Sequence, residues 1–196
     1  MICLSVHKNG AFVCNAGMAD LSILTAHIHG SRYAAAAASV DVTGIQDLPD
    51  KGSAHVGWVR DMLLKPGDSL IFVLINNDDP DAPLDIKPTG TPEYLQEQRE
   101  YEALLQGHMG PEPLAEHLRS SLAFKLSLGD QEIMAQLPDD HAHMMCILMW
   151  EKWRPDRCRV SARSFPGADS GAVENTTEWL EGELELGDSF EITVLA

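Results

Sequence analysis

The chain is short of basic residues: 14 Lys and Arg stand against 30 Asp and Glu, for a formal charge of −16. Phosphate binding needs a positive field, so this balance argues against nonspecific contact with nucleic acid. No apolar run approaches the ~18 residues that read as a membrane helix. The opening MICLSVHKNG meets a charge and a turn too early for a secretion signal. Cysteine is scarce as well. Cys3, Cys14, Cys146 and Cys158 have no close pairing in sequence, so they read as buried, reduced thiols and the expected location is the cytoplasm. A phosphate loop, a dinucleotide fingerprint and a Cys-x-x-Cys pair are all missing, and no cofactor or metal is expected. What is present is a globular composition, 44% hydrophobic and 22% charged, with enough apolar surface for a core.

The most informative feature is a self-match at an offset of about 120 residues. WVRDMLLKPGDSLIFVLI, from Trp58, resembles WLEGELELGDSFEITVL, from Trp179, and Gly67-Asp68-Ser69 falls on Gly187-Asp188-Ser189. In the same register Val40 meets Val160, Asp20 meets Asp140, Val13 meets Ile133 and Val6 meets Leu126. The expected organisation is two β units, residues 1–76 and 121–196, joined by a connector at 77–120.

Each unit reads as short strands punctuated by Gly, Pro, Asn and Asp. Apolar residues alternate on both sides of Asn9-Gly10, a dipeptide that accepts the positive φ of a type I′ turn. A plain two-residue hairpin there would oppose Val6 to Val13, Ser5 to Cys14 and Cys3 to Ala16. Further strands are expected at 21–29, 39–44 and 69–75. In the second unit they fall at 122–128, 132–137, 143–150, 158–165 and 189–195. The fold class is therefore mainly β: two tandem, duplicated small β-barrels or β-sandwiches with a helical insert. Leu70, Phe72 and Leu74 alternate with Ile71, Val73 and Ile75, so that strand is apolar on both faces and calls for a second covering layer.

In the connector, NDDPDAPLDIKPTG reads as an irregular acidic loop. Thr91-Pro92-Glu93 then supplies a cap, a proline at the first helical position and an acid in the first turn. The resulting helix runs to Gly107 and puts Tyr94, Tyr101, Leu104 and Leu105 on one face, with a second short helix at 113–118. That face offers a partner-binding surface, or more plainly packs on its own sheet.

Leu24-Thr25-Ala26-His27, Asp68 ahead of Leu70-Ile71, and Ala168-Asp169-Ser170-Gly171-Ala172 together resemble the trypsin-like serine proteases. The resemblance covers about a dozen residues and implies His27 as base, Asp68 as its orienter and Ser170 as nucleophile. The sequence departs from that family in having one alanine fewer before His27 and Ala168 in place of a glycine. Two His-x-His pairs, His27/His29 and His141/His143 with Cys146 nearby, offer zinc ligands if each pair shares a strand face.

Charge distribution gives the main functional expectation. Residues 1–76 carry 6 acids and 5 bases, 77–120 carry 10 and 3, and 121–196 carry 14 and 6. Glu178, Glu181, Glu183 and Glu185 lie in a run with no base, just after a stretch containing Lys152, Arg154, Arg157, Arg159 and Arg163. The segments either pair with each other or steer a basic partner. The expected function is a non-enzymatic, cytoplasmic protein-binding or inhibitor protein, immunity-like in action. Its binding residues are Glu178, Glu181, Glu183, Glu185, Tyr94 and Tyr101, and its partner is a basic protein, with neither nucleic acid nor membrane involved. The alternative is a hydrolase, either the protease or a zinc enzyme using the histidine pairs.

Overall fold

The computed structural model describes residues 1–49, 52–96, 98–100, 119–166 and 175–195. Its first hairpin, β1 (Ile2–Lys8) and β2 (Ala11–Ala16), turns at Asn9 and Gly10 with φ of 52° and 76°. Both angles are positive, as a type I′ turn requires. Next to the turn Lys8 faces Ala11 and His7 faces Phe12; then the register shifts. Beyond the shift Val6 faces Cys14, Ser5 faces Asn15 and Leu4 faces Ala16, which corrects the expected pairs. The extra residue is Val13, a β-bulge that brings Cys14 and Ala16 into the interior beside Leu4 and Val6.

The chain continues through β3 (Leu21–Ser31), β4 (Ala38–Asp47), β5 (Ser53–Leu64) and β6 (Ser69–Asn76). After β7 (Asp85–Pro88) comes a short helix, α1 (described over residues 92–96 and 98–100). Then follow β8 (Ala123–Leu128), β9 (Gln131–Gln136), β10 (His141–Glu151), β11 (Arg154–Pro166), β12 (Thr177–Glu185) and β13 (Ser189–Val194). The protein is mainly β, in two sheets of order β2-β1-β6-β13-β8-β9 and β12-β11-β10-β3-β4-β5-β7, neither closed into a barrel.

One core lies between the sheets. Leu4, Val6, Phe72, Phe124 and Phe190 from the first meet Leu24, Ile28, Val40, Met144 and Leu148 from the second in a single buried cluster. The sheets touch closely at Gly30, where a Cβ would stand 2.6 Å from Phe124 Cζ. The expectation of a separate barrel or sandwich for each half is corrected, because both sheets draw strands from both halves. The joins are ordinary antiparallel ladders, β6 to β13 and β3 to β10.

Ladders of the two halves share register at the 120-residue offset. Leu4 faces Leu74 and Phe124 faces Val194; Ile28 faces Val40 and Leu148 faces Val160; Lys8 faces Ala11 and Leu128 faces Gln131. At the joins, residues 120 apart stand directly opposite: His27 faces Ile147, and Ile71 faces Glu191. The turns before β6 and β13 are exchanged in the same way. Gly67 N donates to Val194 O at 2.9 Å and Gly187 N to Leu74 O at 2.8 Å.

Three local expectations are revised. The loop at 77–90 contains β7, paired antiparallel to β5 through Ala54–Pro88 to Gly57–Asp85. Strand β6 buries Leu70, Phe72 and Leu74, while Ile71, Val73 and Ile75 stay partly exposed, so among the described residues no second layer seals its outer face. The helix begins where expected: Tyr94 N donates to Thr91 Oγ1 at 3.3 Å and Leu95 N to Thr91 O at 3.0 Å. Tyr101, Leu104, Leu105 and the helix expected at 113–118 lie outside the described residues.

Candidate functional site

Strand β12 carries the acidic run at the edge of the seven-stranded sheet. Its alternation buries Leu180 and Leu184 and turns Glu181, Glu183 and Glu185 outward, and the register shift at Trp179 brings Glu178 to the same outer face; Glu183 is half-buried and the other three are exposed. The neighbouring β11 presents Arg157, Arg159 and Arg163 on that same face. Cross-strand pairing sets Arg157 against Glu185, Arg159 against Glu183, Ser161 against Glu181 and Arg163 against Glu178.

Ion pairs follow from this register. Glu183 accepts from Arg157 Nη1 at 2.6 Å and from Arg154 Nη2 at 2.7 Å, and Glu178 meets Arg163 Nη2 at 3.0 Å. Glu185 lies 3.6 Å from Arg157 Nη2. The bonds from Arg157 and Arg154 hold the Glu183 carboxyl below the usual carboxylate range. The basic stretch and the acidic run thus neutralise each other in part. Glu181, opposite a serine, has no ion pair among the described residues. Paired or not, these side chains face solvent: Glu178 and Glu185 are 50% and 68% exposed.

Tyr94 sits on its own chain. Its hydroxyl lies 3.1 Å from His55 Nε2, with the rings 5.2 Å apart. The two flank an open concavity of about 610 Å³, also lined by Arg60, Asp61, Asp85 and Lys87, in which Arg60 pairs with Asp85 at 3.1 Å. The concavity mixes charges of both signs and has no strongly polarised wall.

The two histidine pairs meet only in part. His27 and His29 point outward from β3, and His143 joins them on the same face, its ring stacked 5.4 Å from His29 and 5.5 Å from Phe165. Burial among these rings lowers the His29 pKa. His141 is different: a register shift between His141 and His143 turns it into the interior, 3% exposed. There its Nδ1 lies 2.7 Å from Ser164 Oγ, which also accepts from Trp179 Nε1 at 2.9 Å. The indole only donates, so Ser164 Oγ accepts from Trp179 and keeps its O–H and a second lone pair for His141 Nδ1, the direction of that bond being set by the imidazole tautomer. Among the described residues no group of three or more potential ligands could hold a metal.

Of the protease-like residues, His27 and Asp68 belong to different sheets. His27 lies opposite Asp41 and Ile147 on the outer face of one sheet. Asp68 sits in the turn entering β6 of the other sheet and accepts from Asn9 Nδ2 at 2.8 Å and Lys65 N at 3.1 Å, with Lys8 Nζ at 3.2 Å. None of its hydrogen bonds goes to His27, and Ser170 lies outside the described residues. The Asn9 and Lys65 bonds, assisted by Lys8, lower the Asp68 pKa to about 2.

All four cysteines are buried and free. Cys14 and Cys158 are pushed up by burial, to about 11 and about 12, and Cys146 higher still. These thiols are poor nucleophiles in a closed core.

Two features escaped the sequence reading. The Trp179–Ser164–His141 chain depends on the register of β10, β11 and β12, and no local motif signals it. Arg32, 3% exposed, donates to the carbonyls of Leu137, Pro138 and Asp139 and so ties the β3–β4 connection to the β9–β10 turn. Its only sequence signal was an isolated arginine next to an alanine run. Set against protein-family models, curated proteins and solved structures, the chain matches none. Among the described residues no helix is long and apolar enough to cross a membrane.

Proposed function

We propose that this is a non-enzymatic, protein-binding protein of inhibitor or immunity type, acting in a reducing compartment on a basic partner. The observation that carries the reading is the outer row of β12. Glu178, Glu181, Glu183 and Glu185 stand side by side on an exposed edge strand of a protein with a net charge of −16. The β11 arginines hold this row in place and cancel part of its charge, while Glu181 retains its own. A preorganised acidic row steers a basic surface during approach and contributes less to holding it afterwards. Free, buried thiols support the reducing compartment.

The scaffold is, in the same proposal, a duplicated unit of six strands whose two copies share both sheets. Support comes from the common 120-residue register and from His27 facing Ile147 and Ile71 facing Glu191, the pattern a twofold axis through both sheets would leave. The carrying experiment is partner capture from the host, followed by association kinetics with the captured protein. Replacing the four glutamates by Gln is expected to slow association far more than dissociation, and added salt to slow it as well. An on-rate indifferent to both would sink the reading.

A further inference from the structure

Strand β12 ends its sheet, and among the described residues no strand pairs with its outer edge. An edge strand presents a row of backbone N–H and C=O groups without partners, a template for another extended chain. The counterpart strand in the first half, β5, is treated differently. There β7 adds an antiparallel strand over Ala54 to Gly57, immediately before Trp58. By the ladder register Gly57 corresponds to Glu178 and Val56 to Thr177, so in the first half the chain itself adds a strand to the edge that β12 presents at its N-terminal end.

We propose that β12 receives an extended segment of its protein partner as an added strand, and that the segment is basic at alternate positions. The inference rests on the basic-partner reading above and specifies how contact is made. Charge complementarity chooses the occupant. On the outer face β11 is a row of arginines and β12 a row of glutamates, joined by Arg157–Glu183, Arg154–Glu183 and Arg163–Glu178 pairs. A third strand with Lys or Arg on that face continues the alternation, with one residue falling beside the unpaired Glu181. Its inward positions lie next to Leu180 and Leu184 at the rim of the core and call for small or apolar side chains.

The same glutamates discriminate against a second copy of β12, because like charges directly opposite each other destabilise a strand pair. Main-chain hydrogen bonds then supply affinity and the alternating side chains supply selectivity, the division of labour usual in strand addition.

The test uses the intact protein and two synthetic peptides. One alternates Lys with Val; the other has the same sequence with alternate amides N-methylated, so that charge is kept and pairing along one edge is blocked. Several backbone hydrogen bonds at stake predict that the unmethylated peptide binds at least on the order of tenfold more tightly. It is also expected to slow amide hydrogen exchange within Thr177–Glu185 and to weaken severalfold against E181Q. Equal binding of the two peptides, or binding without protection of β12, overturns strand addition while leaving basic recognition standing. Failure of both peptides to bind removes the basic-partner reading itself.

Discussion

The two halves of this protein pair their strands alike and finish their edges differently. In the first half the segment after β6 covers part of both edges: Asp81 exchanges hydrogen bonds with Asn15 on β2, and β7 pairs with β5 over Ala54 to Gly57. In the second half β9 and β12 end their sheets with no such cover among the described residues. The first half also bends its β2 edge with the bulge at Val13, whereas β8 and β9 pair without interruption. Edge strands left unguarded invite pairing. The difference leaves β9 and β12 as bare ladder edges among the described residues, where β2 and β5 carry added contacts.

The sharpest way to test that division is through the two tryptophans at matching places. Trp58 is 4% exposed, packs in the core and donates to Asp81 O at 2.9 Å, so it also anchors the closing segment. Trp179 lies half-buried against the core and donates to Ser164. Trp58→Ala is expected to cost about 3–5 kcal/mol and Trp179→Ala distinctly less, read from denaturant midpoints. Equal losses would mean the halves are equally load-sharing and the asymmetry is confined to their edges.

A second contrast is one of volume. Gly30 stands under Phe124, while the positions 120 residues away hold Trp150 and Leu4, so large and small are exchanged between the sheets. Gly30→Ala drives a methyl to within 2.6 Å of the Phe124 ring and is expected to destabilise by about 1–3 kcal/mol. In Gly30→Ala/Phe124→Leu the ring is gone and the added methyl is expected to cost less than it does alone; a strictly additive double-mutant cycle would show that the two sites do not share a cavity.

Much of the strand pattern was legible because apolar alternation and turn residues are local. Asn9-Gly10, Gly67 and Gly187 mark turns by needing positive φ, and Phe190, Ile192 and Val194 mark a buried face by their spacing. Register defects and partner choice were not legible. The Val13 bulge exists because Cys14 and Ala16 pack inward with Leu4 and Val6, a condition set by the opposite sheet. The inward turn of His141 comes from a similar shift, so spacing alone wrongly put it beside His143. Nor does alternation say whether a strand pairs within its half or across it: β6 meets β13 because both are apolar inside and neither edge is otherwise filled. Of the candidate site, the acidic run was visible as composition, and the arginine ladder beside it only as a neighbouring stretch of opposite charge. That no strand among the described residues pairs with its outer edge was invisible, because pairing depends on where the rest of the chain runs.

Equivalent turns give the next contrast. Asp68 and Asp188 each accept the backbone N–H of the residue three before, Lys65 at 3.1 Å and Glu185 at 2.9 Å. Only Asp68 adds Asn9 and Lys8, and its side chain is 6% exposed. Asp68→Ala is therefore expected to cost more than Asp188→Ala in thermal unfolding. The Asp68 carboxyl is held at about 2 in the folded state, mainly by Asn9 and then Lys65 N, against an unfolded value near 4. A depressed folded pKa adds stability that is present above the unfolded value and lost as pH falls toward the folded one. Acidification from about pH 4 to pH 2 should thus remove about 2 kcal/mol through this group, and the Asp68→Ala protein should lack that share of the slope. An unchanged acid limb in the variant would show that other carboxyls govern it.

The smallest effect on stability is expected at the surface proposed to bind. Glu183 holds two arginines and Glu181 none, so E183Q should lower the melting temperature slightly and E181Q leave it unchanged or raise it by relieving repulsion from neighbouring acids. Each should also reach partner association, by a different route. Loss of Glu183 frees Arg154 and Arg157, which places positive charge on the outer face and repels a basic segment. Loss of Glu181 removes the one acid of the row that is not already spoken for within the sheet. Both should slow association, E181Q without any cost in folding, and the slowing should fade as salt shortens the screening length from ~10 Å at 0.1 M toward ~3 Å at 1 M. If E181Q slowed association only in proportion to a loss of folded protein, the row would be part of the scaffold rather than the recognition surface, and the contrast between a closed first half and a receptive second half would lose its functional meaning.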